Sequence, residues 1–190
     1  MPADPTTLTV IAPLVAASQA NAEPHEAEQQ VVALFDQFRD RLLRYLLCFG
    51  LTVPDSEEVI QEVFLSLFQH LQNGRPRNNL RGWIFRVAHN LALKRRGRNR
   101  RNLETPVEAG AEYLAVDPAP DPEEQLVHSQ SQRHLMAAFL ALPERDRRCL
   151  ALRAESLRYR EIARILDMSL GAVSLSLARS LARLARSSER

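Results

Sequence analysis

The sequence predicts an all-α fold: two small helical domains joined by a flexible acidic linker, the second domain a helix-turn-helix. Three observations predict it. Apolar residues recur at three- and four-residue spacing through two separate blocks. Between the blocks lies a stretch rich in proline and acid, where no core can form. Near the end, a short helix, a three-residue turn and a longer helix follow one another. The length of 190 residues suits one domain or two small ones. The boundaries read as a disordered tail over 1–27, helical domains over 28–101 and 125–190, and a linker over 102–124.

The tail contains a mildly apolar run, Leu8 to Ala17, and Ala20-Asn21-Ala22 is of the cleavage-site type. Its start, Met1-Pro2-Ala3-Asp4, is acidic, whereas a secretory signal needs a basic one. The tail therefore reads as flexible and cytoplasmic. No apolar run reaches membrane-spanning length, so no membrane insertion is expected. Cys48 and Cys149 are far apart, with no CxxC pair, which excludes a disulfide framework or a cysteine-rich zinc module.

In the first block Val31, Leu34, Phe35, Phe38, Leu42, Tyr45, Leu46 and Phe49 form one apolar stripe, and Gly50 stops the helix. Asp55 is placed to cap a second helix, with Glu58 three residues on as in a capping box. Its outer face, Glu57, Glu58, Gln61, Glu62 and Ser66, is acidic. Dipole stabilisation explains the early acids. It fades before Gln61 and Glu62. Residues 73–79 form a loop by composition. A third helix spans about Leu80–Arg96, with Ile84, Val87, Ala88 and Leu91 on one stripe and Trp83 beside it as a core residue. Arg86, His89, Asn90 and Lys94 form a polar, basic stripe, extended by Arg95, Arg96, Arg98, Arg100 and Arg101.

Net charge is only +2, but residues 75–101 hold ten bases and no acid, and residues 102–124 hold seven acids and no base. Residues 125–190 hold twelve bases against six acids. Solvated helix faces are the plainer reading. Uncompensated bases at this density repel one another without a counter-surface, so two contact sites for a polyanion are favoured. Arginine offers planar donors to phosphates, and asparagine can read a base edge.

In the second block, helices are expected to end near Pro143, to span Arg145 to Glu155 with Cys149 in the core, and to run over Tyr159–Leu166 and from Leu170 to about Ala185. The last two flank the turn Asp167-Met168-Ser169. The five histidines show no metal-ligand spacing, and there is no phosphate-binding glycine loop or nucleophile motif. An enzyme and a cofactor are therefore not expected.

The run from Asp55 to Phe68 (DSEEVIQEVFLSLF), continued by Leu80 to Leu93 (LRGWIFRVAHNLAL), resembles region 2 of bacterial RNA polymerase sigma factors. Leu142-Pro143-Glu144-Arg145 and the helix-turn-helix after it resemble region 4. The short two-domain form is similar to the extracytoplasmic-function (ECF) group. The resemblance implies that Glu58, Gln61 and Glu62 dock on the coiled coil of the largest subunit of core RNA polymerase. It implies that Arg75, Arg77, Asn78, Asn79, Arg86, His89, Asn90 and Lys94 contact the start-proximal element of promoter DNA and help to melt it. The helix-turn-helix, through Arg158, Arg160, Arg164, Ser174, Leu175 and Arg179, would meet the upstream element. The linker would thread the polymerase interior, and an anti-sigma factor would cover both domains. No cofactor is implied.

One departure stands out. Relatives usually carry bases at the positions of Ser174 and Ser176, whereas here the preceding helix is the more basic one. Upstream binding mainly through the DNA backbone is expected, with Leu175 and Ala172 available for thymine methyl groups or for a protein face. Two other readings remain open at this level: a stand-alone helix-turn-helix regulator, and a sigma-like protein-interaction module.

Overall fold

The computed structural model describes residues 8–101 and 133–188, and all regular structure among them is helical. Helices α1 (Leu8–Leu47), α2 (Val53–Gln72) and α3 (Leu80–Arg101) form the first block. Helix α4 (133–140), α5 (Glu144–Ala154), α6 (Tyr159–Leu166) and α7 (Leu170–Ser188) form the second. The expected linker and its threading role fall outside the described residues.

The first helix departs from the expected tail. It begins at Leu8, 23 residues before Val31, where the apolar stripe starts. The segment is rich in alanine, the strongest helix former, so its propensity favours helix where its lack of a stripe suggested none. Ala27 is already buried in the core. At the other end, α1 closes on Gly50, whose φ of 73° is the left-handed conformation a side chain would resist.

The start of α2 also differs. Thr52, not Asp55, is the cap, and its Oγ1 accepts from the Asp55 N–H at 3.2 Å. Asp55 instead faces α3, where it accepts from Arg95 Nε and Asn99 Nδ2, both at 2.9 Å. Burial pushes the Asp55 carboxyl up, but the hydrogen bonds from Arg95, Asn99 and Thr52 outweigh it and hold it below its ordinary value. The sequence places α3's end near Arg96, but the helix continues to Arg101.

The core of the first block comes mostly from the predicted stripes, with Phe85 and Ala92 of α3 buried beyond the stripe expected for that helix. Leu42, Leu46, Val63, Leu67, Ile84 and Phe85 are essentially inaccessible. Edge-to-face rings tie the three helices: Phe35–Phe64 at 5.0 Å and Tyr45–Phe85 at 5.6 Å. Such pairs add about 0.5–1.5 kcal/mol each beyond the area they bury. In the second block Cys149, Leu152, Leu157, Ile162, Val173 and Leu177 are buried. Cys149 is thus a small core residue, and burial pushes its thiol up. One continuous cluster of buried residues joins the two blocks.

Candidate nucleic-acid interface

Helix α3 has three sides, set by its 3.6-residue period. Ile84, Ala88, Leu91 and Arg95 turn toward α2. Phe85, His89 and Ala92 turn inward. Arg86, Asn90, Leu93 and Lys94 are exposed. The exposed side matches the expected basic stripe with one correction. His89 is 5 % exposed, and its Nδ1 lies 2.9 Å from Tyr45 Oη. Its position one turn after Phe85 puts it on the inward side. Burial, aided by the nearby charge of Arg148, lowers its pKa to about 4. The ring stays neutral near pH 7 and cannot serve as a cationic DNA contact.

The extended stripe divides similarly. Arg95 is the strut of α2, paired with Asp55 at 2.6 Å and Glu58 at 2.5 Å. Arg96 pairs with Glu144 of the second block. Arg98 remains exposed.

The loop over 73–79 is exposed and braced at its base. His70 Nε2 sits 3.1 Å from the Pro76 carbonyl oxygen, and the His70 and Trp83 rings are 4.8 Å apart. Trp83 is half-buried, packed against the core on one side and this brace on the other. Asn79 adopts φ 57° and its Oδ1 accepts from the Gly82 N–H at 3.2 Å. A Cβ on Gly82 would lie 2.6 Å from Asn79 Nδ2, so any larger residue there would have to displace the Asn79 side chain. Asn79 is therefore a cap for α3 as well as a surface residue. Arg75, Arg77 and Asn78 project from the same loop, and Arg77 lies 3.8 Å from Glu26.

On α2, Glu58, Gln61 and Glu62 share one exposed face. Leu65, which charge patterning alone did not single out, extends it and is 58 % exposed. A large apolar side chain flanked by acids suits a protein partner.

The helix-turn-helix is formed as expected. The axis turns by 102° between α6 and α7, within the range for such units. Asp167 takes the left-handed conformation at φ 51°, and Ser169 Oγ caps α7 by accepting from the Ala172 N–H at 3.1 Å. Glu161 accepts the Arg158 N–H at 2.6 Å and fixes the start of α6. Arg158, Arg160 and Arg164 are exposed, as are Ser174, Leu175 and Arg179 on α7. Ser176 is not on that face. It is fully buried and donates to Asp146 at 2.7 Å. Its serine answers a buried carboxylate, so of the two serines only Ser174 lies at the outer surface. Leu175, 57 % exposed, leaves an apolar spot there.

Among the described residues, no group of histidine, cysteine or acidic side chains is placed to hold a metal, and no single helix is long and apolar enough to cross a membrane.

The three-helix block and the helix-turn-helix each match a known family. The family described as Sigma-70 region 2 matches residues 34–102, and Sigma-70, region 4, matches residues 132–184. The chain belongs to the sigma-70 family of RNA polymerase sigma factors, and to its ECF type. It is 36% identical over 146 residues to the ECF RNA polymerase sigma factor SigE of Mycolicibacterium smegmatis, covering 74% of this chain and 54% of that protein. It is 31% identical to the probable RNA polymerase sigma factor RfaY of Xanthomonas campestris, covering 68% of this chain and 33% of that one. The chain thus spans about half of the first relative and a third of the second. RNA polymerase sigma factor YlaC of Bacillus subtilis is 26% identical, with 77% of this chain and 85% of that protein covered. Among solved structures, CnrH in complex with the cytosolic domain of CnrY aligns with a TM-score of 0.55 at 20% identity, covering 88% of this chain and 92% of that one. That likeness supports the all-α fold.

Proposed function

We propose that this ECF-type sigma factor binds core RNA polymerase, brings it to a promoter and assists melting of the start-proximal DNA. The observation that carries the reading is the division of labour in the first block. One face of α2 is acidic and apolar, while the exposed side of α3 and the loop before it are basic. A partner protein and a polyanion can therefore be held at the same time. The polymerase-facing residues are Glu58, Gln61 and Glu62, with Leu65 added. The start-proximal DNA contacts are Arg75, Arg77, Asn78, Arg86, Asn90 and Lys94.

The second block meets upstream DNA through Arg158, Arg160, Arg164 and Arg179, which are suited to phosphates, with Ser174 and Leu175 nearest the bases. Phosphate contacts give affinity and salt dependence, whereas base contacts give sequence preference. Weak discrimination and a steep salt slope are expected. Sharp loss of binding on single base changes, at any salt, would contradict this part. A protein partner that covers both blocks, an anti-sigma factor, completes the reading, in keeping with a neighbour solved bound to another protein's cytosolic domain. The chain itself performs no chemistry here.

The test is transcription from a pool of bacterial promoter fragments by core polymerase, with and without the chain. Selective transcripts that need the chain support the proposal. Polymerase-independent binding of the second block to DNA, with no chain-dependent transcript, would favour a stand-alone regulator.

A further inference from the structure

The outer face of α7 carries little hydrogen-bonding chemistry where a helix of this kind meets DNA. The first residues of the second helix in a helix-turn-helix are the ones that reach base edges in the major groove. In α7 these are Leu170, Gly171, Ser174, Leu175 and Ala178, all exposed. Leu170 and Leu175 keep 48 % and 57 % of their surface. Ser174 supplies one hydroxyl. Arg179 follows at the edge of the face, with its guanidinium 3.7 Å from the Asp146 carboxylate of α5. A Cβ built on Gly171 meets nothing within 4 Å, so the turn before Leu175 is open to close approach.

The cations surround this face. Arg158, Arg160 and Arg164 are exposed on α6, and Arg183 is exposed further along α7. An apolar protein partner would leave these arginines without counter-charges. A duplex satisfies both parts at once: phosphates meet the arginines, and the floor of the major groove meets the leucines. In that groove arginine and lysine read guanine, asparagine and glutamine read adenine, and acids read cytosine. Residues 170–178 contain none of these types. The remaining feature is the C5-methyl group of thymine, which an apolar side chain can cover.

We propose that α7 reads thymine methyl groups, with Leu175 as the specificity-determining side chain and Ala178 beside it, so that the upstream promoter element carries thymine under this face. The proposal rests on the sigma-factor reading above and names the base that the upstream site prefers. Covering one methyl-sized group is worth about 0.8 kcal/mol, or about fourfold in affinity. That is a modest preference laid over a phosphate-driven affinity.

The test uses the full chain with core RNA polymerase. Promoter fragments randomised in the upstream element are selected for binding. The selected elements are then rebuilt with deoxyuridine in place of thymidine, which removes the methyl group and keeps the base pair. Wild type is expected to select thymine and to lose about fourfold in affinity for each contacted thymine so replaced. Leu175→Ala should bind the thymine element more weakly and treat both versions alike. Its Tm should match that of wild type, because the side chain is exposed. Arg160→Ala should weaken both versions equally, as loss of a phosphate contact does. Equal affinity of wild type for the two versions would overturn the proposal, as would selection of elements without thymine. A uracil penalty that persists in Leu175→Ala would overturn it too. Loss of transcription in that variant with no change in DNA affinity would make the face a protein contact instead. If no complex with polymerase forms while the chain alone still separates thymine from uracil duplexes, it is the sigma-factor reading that falls. If neither is seen, both fall.

Discussion

Acidification should weaken this fold through His89. The side chain is buried beside Tyr45 and Phe49, and its pKa is about 4 rather than the usual 6.5. A histidine with a depressed folded pKa binds its proton more readily in the unfolded chain. Its stabilising effect is therefore complete above about pH 6.5 and disappears as pH falls toward 4. At about 1.36 kcal/mol per pKa unit, roughly 2 kcal/mol is lost by pH 5 and about 3 kcal/mol by pH 4. Urea unfolding of wild type and His89→Gln between pH 7.5 and 5 isolates this term from the carboxylates. Glutamine still offers an acceptor to Tyr45 Oη but does not titrate. Wild type should lose about 2 kcal/mol more than the variant over that interval. DNA affinity at pH 7.5 should be the same in both. Equal losses, or a His89 titration by NMR with a midpoint above 6, would refute the reasoning.

Other consequences concern the caps, the loop and the last helix. Thr52→Ala removes the α2 cap and should cost about 1 kcal/mol in chemical denaturation. Gly82→Ala should displace Asn79, lower Tm and weaken binding of start-proximal single-stranded DNA, because the new Cβ meets Asn79 Nδ2. Ser174→Arg, on the outer face of α7, should tighten DNA binding and steepen its salt slope by about one unit. Ser176→Arg should instead unfold the second block, since the side chain has no exposed position there. Comparable DNA binding by the two arginine variants would contradict the placement of Ser176.

Much of this was legible because helices bury a stripe that repeats. Most of the apolar positions expected on α1 and α2 are found inside, α3 buries Phe85 and Ala92 more deeply than the expected Val87 and Leu91, and the bounds of α6 match their expected place. The misreadings share a cause. Position on a stripe does not say which of three neighbours a side faces. His89 and Arg95 both sit in a basic sequence, yet one turns into the core and the other braces α2. Ser176 looks like a surface serine until Asp146, thirty residues earlier, is brought against it. Asp55 is a good cap by type, but Thr52 stands nearer the first turn and frees Asp55 for Arg95. The pairing of Arg41 with Glu155 spans 114 residues, and no local pattern could reveal it.

The most direct measurement is the affinity of the purified chain for bacterial core RNA polymerase, compared with Gln61→Ala/Glu62→Lys. Both positions are exposed on α2 and support no core contact, so the variant should fold as the parent does. The account predicts a stable complex for the wild-type chain and its loss in the variant, with promoter-selective transcription lost alongside. Equal binding by both proteins, or no binding by the wild type, would contradict it.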